Sequence, residues 1–139
     1  MQEIHFDEKV EMILLKDPRY ARDAYAFVRE SLDFTQKTIS KENRGKVRHI
    51  TGQELLDGIR QFALNQFGPM AITVLEDWGV RNSRDFGEIV FNMVEIELLA
   101  KTEKDNRDDF NHGYDFTDAF LKPFWPPSKL KAEPKPVVP

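Results

Sequence analysis

Cysteine is missing altogether from this chain of 139 residues. Its absence removes disulfides, thiolate metal sites and cysteine nucleophiles together, and it leaves the cytoplasm as the default expectation for location. Long apolar runs are lacking too: no stretch approaches the roughly 18 to 20 uninterrupted apolar residues that a membrane span needs. The opening Met1-Gln-Glu-Ile-His5 has neither the basic start nor the apolar centre of a secretory signal, so neither export by that route nor a membrane location is expected. Histidine is scarce. His5, His49 and His112 lie far apart, and none has a partner at the i, i+4 spacing of a helical zinc site, so no metal is expected.

The chain also shows no glycine-rich phosphate loop, no nucleophile beside a base and no paired carboxylates at a cleft-like spacing. No enzyme activity and no cofactor are therefore expected; an enzyme reading would require Tyr25, Asp85 and Glu88 to meet in one pocket. The acidic run Asp105-Asn-Arg-Asp108-Asp109 lacks the loop glycine and closing glutamate of an EF-hand and reads as a solvated loop.

What is present is the material of a folded domain. Apolar residues make up 40% and charged residues 32%, and 16 aromatic side chains (11 Phe, three Tyr, two Trp) far exceed what a disordered chain carries. The net charge of -4 is unevenly spread. Residues 1–34 carry five basic and eight acidic side chains, residues 35–50 five and one, residues 51–121 six and 14, and residues 122–139 four and one. An acidic body thus carries a basic connector and a basic tail.

Apolar spacing predicts mainly α structure. Phe6, Val10, Ile13 and Leu14 share one helix face, and Asp17-Pro18 offers an N-cap oxygen and an N1 proline for a second helix with Tyr20, Ala24, Phe27, Val28 and Leu32 inward. These form an expected antiparallel hairpin over residues 1–34. From Thr35 to Ile50 the periodicity lapses and the stretch reads as a mobile connector. Its cations Lys37, Lys41, Arg44, Lys46 and Arg48 are the candidate contacts for an anion or nucleic acid. Nucleic acid is disfavoured, because no aromatic side chain is interleaved for base stacking.

Thr51-Gly-Gln-Glu54 matches a capping box, opening a third helix with Leu55, Leu56, Ile59, Phe62, Ala63 and Phe67 inward and a stop at Gly68-Pro69. A fourth helix spans Met70 to Trp78 and ends at Gly79. A fifth is capped by Asn82 or Ser83, with Phe86, Ile89, Val90, Met93 and Val94 on one face. Leu98–Lys101 and Tyr114–Phe116 admit a small β-hairpin, with Asn111-His112-Gly113 turning the chain.

Residues 51–125 are therefore a winged-helix-like module or, without the hairpin, a plain helical bundle, and the whole of 1–125 forms one domain. The tail 126–139, with five prolines, reads as disordered or polyproline-like. A recognition helix would present Arg84, Asp85, Glu88, Asn92 and Glu95 outward, and three of these five repel phosphate. Phe91 falls beside Glu88 and Glu95, off the apolar face, so Glu88, Phe91, Asn92 and Glu95 are the candidate protein contacts.

Three segments, Leu15-Lys-Asp-Pro-Arg-Tyr20 with Ala24-Tyr-Ala-Phe-Val28, Thr51-Gly-Gln-Glu-Leu-Leu56, and Asp85-Phe-Gly-Glu-Ile-Val-Phe-Asn92, carry a resemblance. The chain resembles an uncharacterised family of short bacterial proteins with no assigned function, over about residues 5 to 120. The resemblance implies a bacterial origin and no activity, cofactor or site residue. Where that pattern has small residues just before Leu98-Leu99, this chain has Ile96-Glu97, which bears on the tightness of the turn there. The best functional expectation is a cytoplasmic, non-enzymatic protein-interaction or scaffolding domain with a protein partner; the alternative is a winged-helix regulator that binds nucleic acid through the basic connector.

Overall fold

Phe6, Val10 and Ile13 are buried along one side of α1 (Gln2–Lys16), as their spacing requires. The computed structural model describes residues 2–45, 49–99, 107–111 and 113–126. Its other helices are α2 (Arg22–Glu42), α3 (Gly52–Phe67), α4 (Ala71–Asp77) and α5 (Ser83–Glu95). After them come a 3-10 turn at Arg107–Phe110, a π-turn at Thr117–Leu121 and a 3-10 turn at Lys122–Phe124. The α1–α2 pair is antiparallel: Arg22 at the start of α2 pairs with Glu11, and Arg29, two turns on, stacks 4.6 Å from the Phe6 ring centre.

The second helix starts later than its proline suggests. Asp17 does not cap it. Its carboxylate is taken by the Arg19 guanidinium and backbone N–H, so the chain turns through residues 18–20 and α2 begins after Ala21, which has no side-chain cap. At its other end α2 continues through residues 35–42, which the sequence assigns to the connector. The polar residues that break the apolar pattern there ride inside the helix. Ser31 and Thr35 hydroxyls donate to the carbonyls of Phe27 and Ser31 at 2.9 and 2.7 Å, so both are buried with their donors satisfied, and Ile39 follows on the same face. The partner surface is α3. A Cβ built on Gly58 would overlap Thr35 Oγ1, so only glycine lets the two helices approach this closely.

Thr51 and Glu54 form both bonds of the capping box at 3.1 and 3.0 Å, and Asn82 caps α5 by accepting from the Asp85 N–H at 3.0 Å. Gly68 ends α3 and Gly79, at φ +92°, ends the α4 turn. Phe27 sits between Phe62, Phe67 and Trp78 at 5.5 to 5.7 Å, joining α2 to α3 and α4. A second aromatic group, Phe86, Tyr114, Phe116 and Phe120, closes the opposite side of the core.

There is no strand among the described residues, so the winged-helix hairpin is not formed by Leu98-Leu99 and Tyr114–Phe116. Glu97 adopts a left-handed conformation, φ +65°, and the N–H groups of Leu98 and Leu99 both bond Met93 O. Those donors close the helix end and are lost to a ladder. The tight turn is thus made without a small residue. Tyr114, likewise, hydrogen-bonds Leu56 O through its hydroxyl while Phe116 is buried as a core plug. Of the earlier expectations, those on Lys46, Val47, Arg48, residues 100–106, His112 and the tail from 127 lie outside the described residues. Among those that are described, no helix is long and apolar enough to cross a membrane.

Candidate functional site

The outward face of α5, expected to be open, is covered by the α1–α2 turn on one side and by residues 107–111 on the other. Asn92 donates from Nδ2 to Asp17 Oδ2 and to the Tyr25 hydroxyl, both at 3.0 Å. The Tyr20 hydroxyl donates to Asp85 Oδ1 at 2.6 Å, while Asp85 Oδ2 accepts from the Arg81 N–H at 2.8 Å. Glu88 pairs with Arg107 at 2.7 Å and approaches Arg19 at 3.9 Å. Phe91 is 7% exposed, edge-on to Phe110 at 6.4 Å, with the Arg107 guanidinium 5.3 Å from its ring centre. Of the four residues expected to contact a protein, Glu88, Phe91 and Asn92 are therefore engaged within the chain. Only Glu95 remains exposed, facing a groove shared with Ile13, Lys16 and Ile96.

The Arg19 guanidinium bonded to Asp17 keeps that carboxyl well below the usual carboxylate range. Burial, then the bond to Asp85, pushes the Tyr20 hydroxyl well above the usual phenol value, and burial raises that of Tyr25. Asn92 bridges the Asp17 carboxylate and the Tyr25 hydroxyl, and Tyr20 reaches Asp85, so these bonds tie the α1–α2 turn and α2 to α5. Tyr25, Asp85 and Glu88 each bond a different partner, Asn92, Tyr20 and Arg107 in turn.

Of the basic candidates, Lys37, Lys41 and Arg44 follow one another at i, i+4 and i+7 along and just past the end of α2. Lys37 is on α2 and pairs with Asp33 one turn back at 3.0 Å; Lys41 is exposed in the last turn of α2; and Arg44, at φ +56°, is exposed where the helix unwinds. Lys46 and Arg48 lie outside the described residues. Three of the five cations thus sit on or just after a helix, spaced along its end, rather than on a mobile arm.

Two features escaped the spacing argument. Residues 107–111 are strapped across α3 and α5: Ser83 Oγ donates to Phe110 O at 2.6 Å, and it accepts from the Gly113 N–H at 3.2 Å. The Phe110 ring presses on Gly52 and Gly87, where a Cβ would come within 3.2 and 2.8 Å of ring carbons. Beneath the strap lies a cavity of about 190 Å³, walled by Leu32, Leu55, Val90, Val94, Leu99 and Phe110. Its lining comes from segments far apart in the chain, around residues 32–36, 49–55, 90–99 and 109–110, so no local pattern announces it.

The second feature is the outer face of α1. His5, Glu8, Met12 and Leu15 form one exposed stripe opposite Phe6, Val10 and Ile13, with Leu15 86% and Met12 54% exposed. Its signal in the sequence is plain: Met12 and Leu15 are the apolar residues that the inward pattern of α1 does not use. Among the described residues no group of three or more His, Asp and Glu side chains is arranged to hold a metal. No protein-family profile, curated protein or solved structure matches the chain.

Proposed function

We propose that this chain is a non-enzymatic protein-interaction domain of the cytoplasm that binds its partner along the outer face of α1. The observation that carries the reading is the pair Met12 and Leu15, one turn apart and both turned to solvent on a helix whose opposite face is fully used by the core. Single exposed apolar side chains are common on protein surfaces, but a nearly bare leucine stacked on a half-bare methionine is the start of a contact ridge. Glu8 continues the stripe and Glu95 lies across the groove from Lys16, so the surface fits a partner that presents an apolar side chain with basic neighbours. The polar face of α5 supports the same reading indirectly, since Asp85 and Asn92 are committed to holding Tyr20 and Asp17 of the α1–α2 turn and Tyr25 of α2.

The test is affinity capture with the wild-type chain and with the Met12→Gln, Leu15→Glu double variant. Both positions are on the surface, so the variant should melt within a few degrees of wild type. A partner retained by wild type and lost from the variant supports the reading. Equal retention by both removes α1 from the interface and refutes it.

A further inference from the structure

The geometry points to the cavity under Phe110 as a binding site for a small, neutral, single-ring aromatic molecule. This goes beyond the α1 surface and does not depend on it. At about 190 Å³ the space exceeds the ~150 Å³ cavity known to take benzene and falls short of the roughly 300 Å³ at which drug-sized pockets begin. One ring with a short substituent is the size that fits.

The walls specify a ring over an aliphatic chain. Phe91 and Phe110 both line the space and already meet edge-on, so a third ring can join them in the same tilted geometry. Leu32, Leu55, Val90, Val94 and Leu99 supply the remaining apolar surface. Gln36, His49 and Thr51 also line the space and are exposed, which sets the mouth on their side, while Leu55, Val90, Phe91 and Phe110 are buried and form its floor and roof. The polar end of a ligand would therefore meet the amide and hydroxyl groups at the mouth.

The charges there select a neutral molecule. Asp109 brings a carboxylate to the rim, and the first turn of α3 at Gly52 brings the positive end of a helix to the same place. These fields oppose one another, so neither an ammonium nor a carboxylate on the ring gains what it loses in hydration. The roof is held by the buried Phe110 ring and by two polar bonds, Ser83 Oγ to Phe110 O and Arg107 to Glu88.

The experiment is a titration of the full chain with phenol, and with benzylamine and benzoate as charged probes of similar size, followed by two-dimensional NMR of the valine and leucine methyl groups. Saturable shifts at Val90, Val94 and Leu55 with phenol, in the high-micromolar to millimolar range, are expected, with both charged probes at least about tenfold weaker. Val94→Phe and Leu32→Phe, each filling the space from a different helix, should abolish the phenol shifts. Thermal melts establish that each variant is folded, and if one is not, the other decides. Absence of saturable phenol shifts, charged probes that bind as well as phenol, or phenol binding that survives in a folded filling variant would each overturn the proposal.

Discussion

Replacing Gly58 by alanine should destabilise the protein, against the ordinary rule for helices. Alanine in a helix interior is favoured over glycine by about 1 kcal/mol, and Gly58 lies well inside α3. In this fold the new methyl would overlap Thr35 Oγ1 and lie 2.9 Å from Thr35 Cβ. Thr35 is 4% exposed and its hydroxyl is bonded to Ser31 O, so it cannot turn away freely. Overpacking of this kind costs about 1–3 kcal/mol, and a displaced hydroxyl forfeits about 1 kcal/mol more. After the helix gain is subtracted, a net loss of about 2 kcal/mol remains. For a domain of this length that lowers Tm by roughly 6–10 °C, read by circular dichroism melting with urea denaturation as a check. Thr35→Ala removes the obstacle. The double variant should therefore be more stable than the sum of the single effects by at least about 1 kcal/mol. A Gly58→Ala protein as stable as wild type, or more so, would mean that α2 and α3 are not in contact at Thr35, and with it the extension of α2 past Phe34 would fall.

Glu97→Gly should stabilise by about 0.5–1 kcal/mol, because glycine accepts the left-handed conformation that the glutamate holds at φ +65°; a lower Tm would show that the α5 end is closed differently. Asp17→Asn should weaken the fold at pH 7 and flatten its acid limb. A folded-state pKa held below the unfolded value contributes stability that is fully present above about pH 4 and is lost as pH falls further. An unchanged acid limb would contradict the Arg19 clamp. Tyr20 has the opposite sign: its raised folded pKa gives stability that is fully present below about pH 10 and is lost above it, so Tyr20→Phe should flatten the alkaline limb. Phe110→Ala should cost about 3–4 kcal/mol and strip hydrogen-exchange protection from the segment around Ser83, whereas a loss under about 1 kcal/mol would show that the strap is only loosely seated.

Much of the helical framework was legible because its signals are local. The Thr51–Glu54 box, the Asn82 cap and the Gly68 and Gly79 stops each act within a few residues, and each is found in the fold. The failures are of another kind. Residues 35–42 looked like a connector because the apolar periodicity lapses from Thr35 and cations crowd in, yet hydroxyls such as those of Thr35 and Thr38, which bond the carbonyl four residues back, make such positions compatible with a helix. Asp17-Pro18 carried a valid cap signal, but Arg19 and Asn92 took the carboxylate, and a competitor 75 residues away leaves no local trace. The strand readings at Leu98 and Tyr114 rested on composition alone, and the helix end and the Leu56 carbonyl claimed those groups first.

The candidate site divides along the same line. Phe91 was singled out for lying off the apolar face of α5, and the segment that covers it, Arg107 to Phe110, is seated there by Gly52, Gly87 and Ser83, whose part in holding a segment so distant in the chain has no local signal. Met12 and Leu15 needed no tertiary information, only the question of which apolar residues the inward stripe leaves over.

The most direct test of the α1 surface is positional. A photo-crosslinking amino acid is placed at Met12 or Leu15, and in parallel at Lys41 and Arg81, which are exposed elsewhere on the fold. Each labelled chain is irradiated in its native extract, and the adducts are identified by mass spectrometry. The account predicts one shared adduct from both α1 positions and none of it from the other two. The same adduct arising from Lys41 or Arg81, and not from Met12 or Leu15, would contradict it.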